Sequence, residues 1–494
     1  MRHPLLPSCV FVLAALVLAA PSALPAPATP AAHSASHPPK VPAAYNKFVK
    51  GAAITPGLIP IIHKAGKVYL SLSPSQLGED FIETSVPSSG LGGLGPAQGE
   101  PYVAPARILH FERAGNQVVL RWPNRYALTQ PGSPQATGVR NSLPNSIIAV
   151  VPISAQDHDH VVISADAFLG DVADLADTFN AREKNPAHRY RLNAKKTFFL
   201  QTKAFPLNDV LRVDQSWVAP EATPKFDNAP DSRYVEVRMT YNLIAAPHDN
   251  YVPRIYDPRV GYFSEPLMNF ATDSEMQRAV HYITRWNFGK RISVAPFKAT
   301  SPIVFYLSDD IPMEYRETVR QALLTWGQAF TRVGILNAIQ LRNQPHTPGW
   351  DPDDIRHNMV RWIDTSSPAF GAEALLITDP RTGEELNVGV NFDAVMGLDG
   401  RLIYKYIIAP ARGLPDTKIV EQKFAAAFIR MVVLHESGHD MGLQHNFIGS
   451  MAYTAKDLQS KSFTGKYGVA SSVMEYSPLN IWPKGTPQGD YVQL

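Results

Sequence analysis

One stretch near the C-terminal end, Val432-Val433-Leu434-His435-Glu436-Ser437-Gly438-His439-Asp440-Met441-Gly442-Leu443-Gln444-His445-Asn446, constrains the fold more than any other. It carries the pattern H-E-x-x-H-x-x-G-x-x-H. On a helix, residues four apart lie one turn apart on one face, so His435 and His439 present two imidazoles to the same point. That spacing suits one Zn²⁺ ion, and Glu436 beside the first histidine suits a general base acting on water. Gly442 can take φ > 0, end the helix and turn the chain, which brings His445 back as a third ligand. Three nitrogen ligands and one open position describe a hydrolytic site, not a closed structural one. The plainer alternative is a helix end with surface histidines and a glycine cap, and five fixed positions make that coincidence rare.

At 494 residues the chain exceeds what one core usually covers, and roughly two to four domains are expected. A net charge of +2 with no Lys/Arg block gives no sign of a nucleic-acid partner. Arg2 and His3 precede an apolar run, Cys9 to Ala20, then small residues and prolines, as in a secretory signal peptide with a cleavage site after Ala28. The run is short for a membrane span of about 20 residues, which favours cleavage over a retained anchor. No later stretch is long and apolar enough to span. Export to the periplasm or medium follows as an expectation. Cys9 is the sole cysteine, so the mature chain would have no disulfide and no cysteine to hold the zinc latent.

The predicted organisation is multidomain α+β. A signal peptide (1–28) and a disordered Pro/Ala-rich spacer (29–44) lead into a small β-rich domain (45–105), a second β-rich domain (106–290) and a catalytic domain (291–494). Alternation predicts strands at Val68–Leu72, Phe81–Val86, Ala106–Glu112, Gln117–Trp122, Ser146–Val151, Val161–Ser164 and Tyr234–Met239. Ala114-Gly115-Asn116 makes a hairpin of the third and fourth. Ser88–Gly99 reads as a loop. Asp166–Phe179 reads as a short helix and Met276–Trp286 as another. His110 reads as a packed or surface histidine, Asp157-His158-Asp159-His160 as an exposed turn more than a metal cluster, and Asp351, Asp353 and Asp354 as a solvated turn more than a Ca²⁺ loop. In the last domain Ile303–Leu307, Ala338–Leu341 and Met359–Ile363 read as strands, and Glu314–Phe330 as an amphipathic helix with Val319, Leu323, Leu324 and Phe330 inward. Ala372–Thr378 and Leu386–Asn391 flank a turn at Asp379–Glu384. Asp416 or Thr417 caps the helix that runs into the zinc motif.

Twenty-nine residues beyond His445 lies Met474, in Ser471-Ser472-Val473-Met474-Glu475-Tyr476. After the extended histidine motif, such a Met suggests a Met-turn whose thioether floors the three imidazoles. Tyr476 could donate to a developing oxyanion, or only pack.

With HESGHDMGLQHNF at 435–447 and SSVMEY at 471–476, the chain resembles the metzincin metallopeptidases, and most of all the bacterial Met-zincin group of exported proteins. DPRTGEELN at 379–387, RWI at 361–363 and DPRVGYF at 257–263 add weaker support. The resemblance implies a zincin-like domain with a mixed sheet and an active-site helix. It implies His435, His439 and His445 as ligands of Zn²⁺, Glu436 as base, Met474 as the Met-turn and Tyr476 as a transition-state donor. It also implies an edge strand, for which Ala372–Thr378 is the candidate, that pairs with a protein or peptide substrate. Members of the group generally continue well past the Met-turn, whereas this chain stops at Leu494, so either the sequence is a fragment whose cleft walls are incomplete or the tail is dispensable. Two other readings fit the motif: an envelope protein that binds zinc with little catalysis, and an amidase acting on a non-peptide substrate. Oligomeric state has no signature in the sequence.

Overall fold

The computed structural model describes residues 42–89, 104–181, 183–223, 229–272, 278–289, 296–364 and 371–493. The predicted signal peptide, most of the spacer and most of the Ser88–Gly99 loop lie outside these residues. Among the described residues, no helix is long and apolar enough to cross a membrane.

The N-terminal half builds one large antiparallel sheet. Neighbouring strands run in the order Asn208–Val218, Tyr234–Ala245, Phe81–Pro87, Ala104–Ala114, Gln117–Trp122, Ser146–Gln156, Val161–Ser164, Lys67–Leu72, Ile61–Lys64 and Ala53–Thr55. The predicted hairpin at residues 106–122 forms, with Gly115 at φ +61° in its turn. Strands from both sides of residue 105 share this sheet, and Ala104–Ala114 runs across that position. Alternate residues such as Leu109, Phe111, Leu211, Val213, Met239 and Tyr241 face a single core. Asp157 to His160 form a tight turn in which Asp157 accepts from the Asp159 and His160 amides.

Three local expectations are corrected. Asp166–Phe179 is not one helix but a 3₁₀ turn, Asp166–Leu169, and a helix, Leu175–Asn180. The Asp171 carboxylate accepts from the Leu175 and Ala176 amides and so starts the second piece afresh. The part of Met276–Trp286 that is described is strand, because Ala279–Ile283 pairs antiparallel with Ser264–Asn269; tertiary pairing overrides a helical reading of a short apolar run. Asp351 and Asp353 do not form a solvated turn. Lys203 reaches both at 2.7 Å, and Arg212 reaches Asp353 at 2.6 Å, which ties the large sheet to the C-terminal region.

The C-terminal sheet is mixed. Arg285–Trp286, Glu384–Asp393, Asn358–Ile363, Ile303–Leu307 and Ile339–Asn343 lie parallel in that order, and among the described residues Ala372–Thr378 pairs antiparallel with Glu384–Asp393 alone, as an edge strand. One face is covered by the helices Met313–Arg332 and Lys418–His439. Val319 and Leu323 of the first and Ile429, Val433 and Leu434 of the second pack on Phe305, Val388, Val390 and Phe392. Full burial of such side chains stabilises by about 1.5–3 kcal/mol each before entropy is counted.

Candidate metal centre and catalytic cleft

Thr417 caps the helix Lys418–His439, its hydroxyl accepting from the Val420 amide. The helix must stop where it does. The amides of Gly442 and Leu443 turn back onto the carbonyls of His439 and Gly438 at 2.8 and 3.1 Å, and Gly442 takes φ +81°. A Cβ on Gly442 would also lie 2.3 Å from the Thr284 carbonyl oxygen. The returning chain brings His445 to the two helical histidines, and the ligand nitrogens of all three lie within 4.8 Å of one another.

Hydrogen bonds set the tautomers. His435 Nδ1 lies 2.8 Å from the Val473 carbonyl, and His439 Nδ1 lies 2.7 Å from the Leu443 carbonyl. A carbonyl only accepts, so each Nδ1 carries the proton and each Nε2 keeps its lone pair for a metal. His435 Nε2 is buried with no hydrogen-bond partner, while His439 Nε2 and His445 Nε2 face each other at 3.2 Å. Burial, with the neighbouring histidines, holds His435 down to about 4, and burial pushes His439 and His445 below the usual imidazole range. Three neutral nitrogens converge, a donor set that fits zinc.

Glu436 faces a cleft of ≈ 520 Å³ lined by Ala372, Ala374, Leu376, Phe263, Phe447 and Tyr476, together with His439 and His445. Burial pushes its carboxyl up to about 8; the Ala374 amide opposes the shift and the Glu373 carboxylate adds to it. A metal cation bound by the three neutral histidines would favour the ionised form. Met474 is buried beneath the helix, and its carbonyl accepts from the Asn446 amide at 2.7 Å. The Tyr476 ring stands 4.2 Å from that of His445 and 5.3 Å from that of His435. It is 64% exposed, and burial and then Glu436 raise its phenol, which keeps its proton. All six residues singled out in the sequence therefore gather here.

Several contributors carry no signal in the zinc motif. Gly261 accepts from the Gln444 amide and Phe263 donates to the Gly442 carbonyl, so the segment before the catalytic region brackets the turn that carries His445. The Phe263 ring lies 5.4 Å from His439. Trp326 Nε1 donates to the Leu434 carbonyl at 3.2 Å and anchors the helix from the side. Only the DPRVGYF resemblance hinted at the first of these. A larger cavity of ≈ 680 Å³ around Tyr251, Arg285 and Glu384 contains none of the histidines.

A mixed sheet with an antiparallel edge strand, a helix bearing two histidines, a glycine turn to a third and a methionine below them define a metzincin-type zincin. Comparison with known families agrees: residues 417–494 match the family described as Met-zincin, and residues 103–291 match a domain of unknown function (DUF5117). The C-terminal region of this chain is thus similar to the Met-zincin family, which points to a zinc metallopeptidase. No curated protein and no solved structure matches the chain.

Proposed function

We propose that this protein is an exported zinc-dependent endopeptidase. The observation that carries the reading is the convergence of His435, His439 and His445 at a cleft bounded by Glu436 and by the free side of the strand Ala372–Thr378. A zinc ion held by the three Nε2 atoms would supply Lewis acidity toward a carbonyl and toward water. The chain's own groups do the rest. The unpaired side of Ala372–Thr378 takes an extended peptide as an added strand. Glu436 accepts the proton of the attacking water and delivers it to the departing amine. Tyr476 donates its phenolic proton in a hydrogen bond to the carbonyl oxygen as charge develops there. Met474 keeps the imidazoles seated. Export rests on the N-terminal pattern of charge, apolar run and small residues.

The test is a digest of a proteome-derived peptide library by the mature chain, with and without a chelator. Internal cleavages that vanish with the chelator and return with zinc are expected. One zinc per chain with no cleavage would replace this reading with that of a zinc-containing binding protein.

A further inference from the structure

Strand alternation sends Val360 and Trp362 into the helix-covered core and turns Arg361 to the opposite face of the catalytic sheet. That face is covered by the large N-terminal sheet, and a cavity of ≈ 260 Å³ lies between them. Arg361 lines it and makes no hydrogen bond or ion pair among the described residues. Asn391, directly across from Arg361 in register and 1% exposed, has a side-chain oxygen without a partner. The Thr240 hydroxyl and Arg212 Nε, on the facing sheet, are buried and equally unpaired. The acids nearby are already engaged: Asp353 by Lys203 and Arg212, Asp354 by Arg356. Asp353, though so engaged, and then Asp310 act on Arg361 at longer range. The remaining wall mixes polar Asn242, His357 and Asn387 with apolar Val86, Leu375 and Ile377.

We infer that this cavity is a binding site for a small carboxylate with a compact apolar body. A guanidinium presents paired N–H donors that match two carboxylate oxygens. The Thr240 hydroxyl and Arg212 Nε add donors, and the Asn391 amide adds two more once turned. Arg361 is half-buried, and an anion gives its guanidinium the charge-assisted partner that the described residues do not, while the apolar part of the ligand fills the remaining space. The size suits one amino-acid-sized ligand. Leu376 lines both this cavity and the catalytic cleft, yet the histidines and Glu436 take no part in it. The inference therefore does not rest on the proposed peptidase activity.

The test is calorimetric titration of the full chain with isovalerate, N-acetyl-leucine and N-acetyl-leucinamide. At least one acid should bind at roughly 1 mM or tighter, with the amide about tenfold weaker or more. Tighter binding of N-acetyl-leucine assigns the site to peptide C-termini, and tighter binding of isovalerate assigns it to free short acids. Arg361→Met should abolish the signal. Thr240→Met, which fills the cavity and keeps the guanidinium, should abolish it too and serves if the first variant does not fold. Acids that fail to bind, that bind no better than the amide, or that bind both variants as well as the parent chain would overturn the inference and leave the cavity to ordered water.

Discussion

Gly438 and Met474 compete for the same space. A Cβ on Gly438 would lie 2.2 Å from Met474 Sδ, with Trp326 Cζ2 at 3.0 Å on the other side. The helix can carry its histidines over the methionine because the residue between them has no side chain. Gly438→Ala should therefore lift the helix off its floor. Overpacking of this kind costs about 1–3 kcal/mol, and disturbing groups that orient ligands weakens metal binding about 10–100-fold. Zinc competition with a chromogenic chelator reads the second effect. Unchanged affinity would mean that Met474 has no part in seating the imidazoles.

Glu436→Gln should keep the metal and lose turnover by about 10²–10⁴-fold, the usual range for a positioned acid–base group. Metal content per chain and cleavage of a quenched peptide measure the two separately. Full turnover in this variant would exclude Glu436 as the base.

Tyr476→Phe removes one hydroxyl and leaves the ring on His445. A fall in kcat of about 10²-fold, with KM little changed, is expected of a lost oxyanion donor. A fall confined to KM would make Tyr476 a packing residue.

Asp80 joins three parts of the chain. Its carboxylate contacts His110 and Arg125, and accepts from Arg381 at 3.0 Å, in the turn before the strand Glu384–Asp393. Burial is outweighed by the hydrogen bonds from His110, Arg125 and Arg381, and the carboxyl is held well below its usual range. A depressed acid contributes stability above its unfolded pKa of about 3.9 and loses it as pH falls below that value. Asp80→Asn should destabilise the chain at pH 7, and the gap in urea midpoints between parent and variant should begin to narrow below about pH 3.9 and keep narrowing down to the lowest pH at which the chain folds. A gap of constant size across that range would argue against an ionic origin.

Asp209 has the opposite sign. One oxygen accepts from the Ile59 amide at 2.8 Å, the other has no partner, and burial pushes the carboxyl up to about 8. The folded chain keeps the proton where the unfolded chain has lost it. Stability is greatest below about pH 3.9 and declines up to pH 8, by as much as about 1.4 kcal/mol per unit. Asp209→Asn should remove that slope from urea midpoints measured between pH 5 and 8. An unaltered slope would show that Asp209 is ionised in the fold.

The sequence by itself was enough for the local parts of this protein. Period-two alternation located the strand Lys67–Leu72 to within a residue or two, the turn residues Asp379–Glu384 located Ala372–Thr378 before them, and a 3.6-residue period located Met313–Arg332. The four-residue spacing of His435 and His439 and the φ of Gly442 are backbone properties, so they could be read without a fold. Contacts between distant segments could not. The DPRVGYF resemblance marked the stretch of Gly261 and Phe263 but not that it braces the loop of His445, and nothing near Asp351 says that Lys203 will meet it. The Ala279–Ile283 strand exists only because Ser264–Asn269 lies beside it. Arg361 read as one residue in an ordinary strand, and only the packing of one sheet on another turned its charge into a cavity beside Asn391. Periodicity and metal-ligand spacing belong to the chain, whereas burial, pairing and pKa belong to the neighbours that folding supplies.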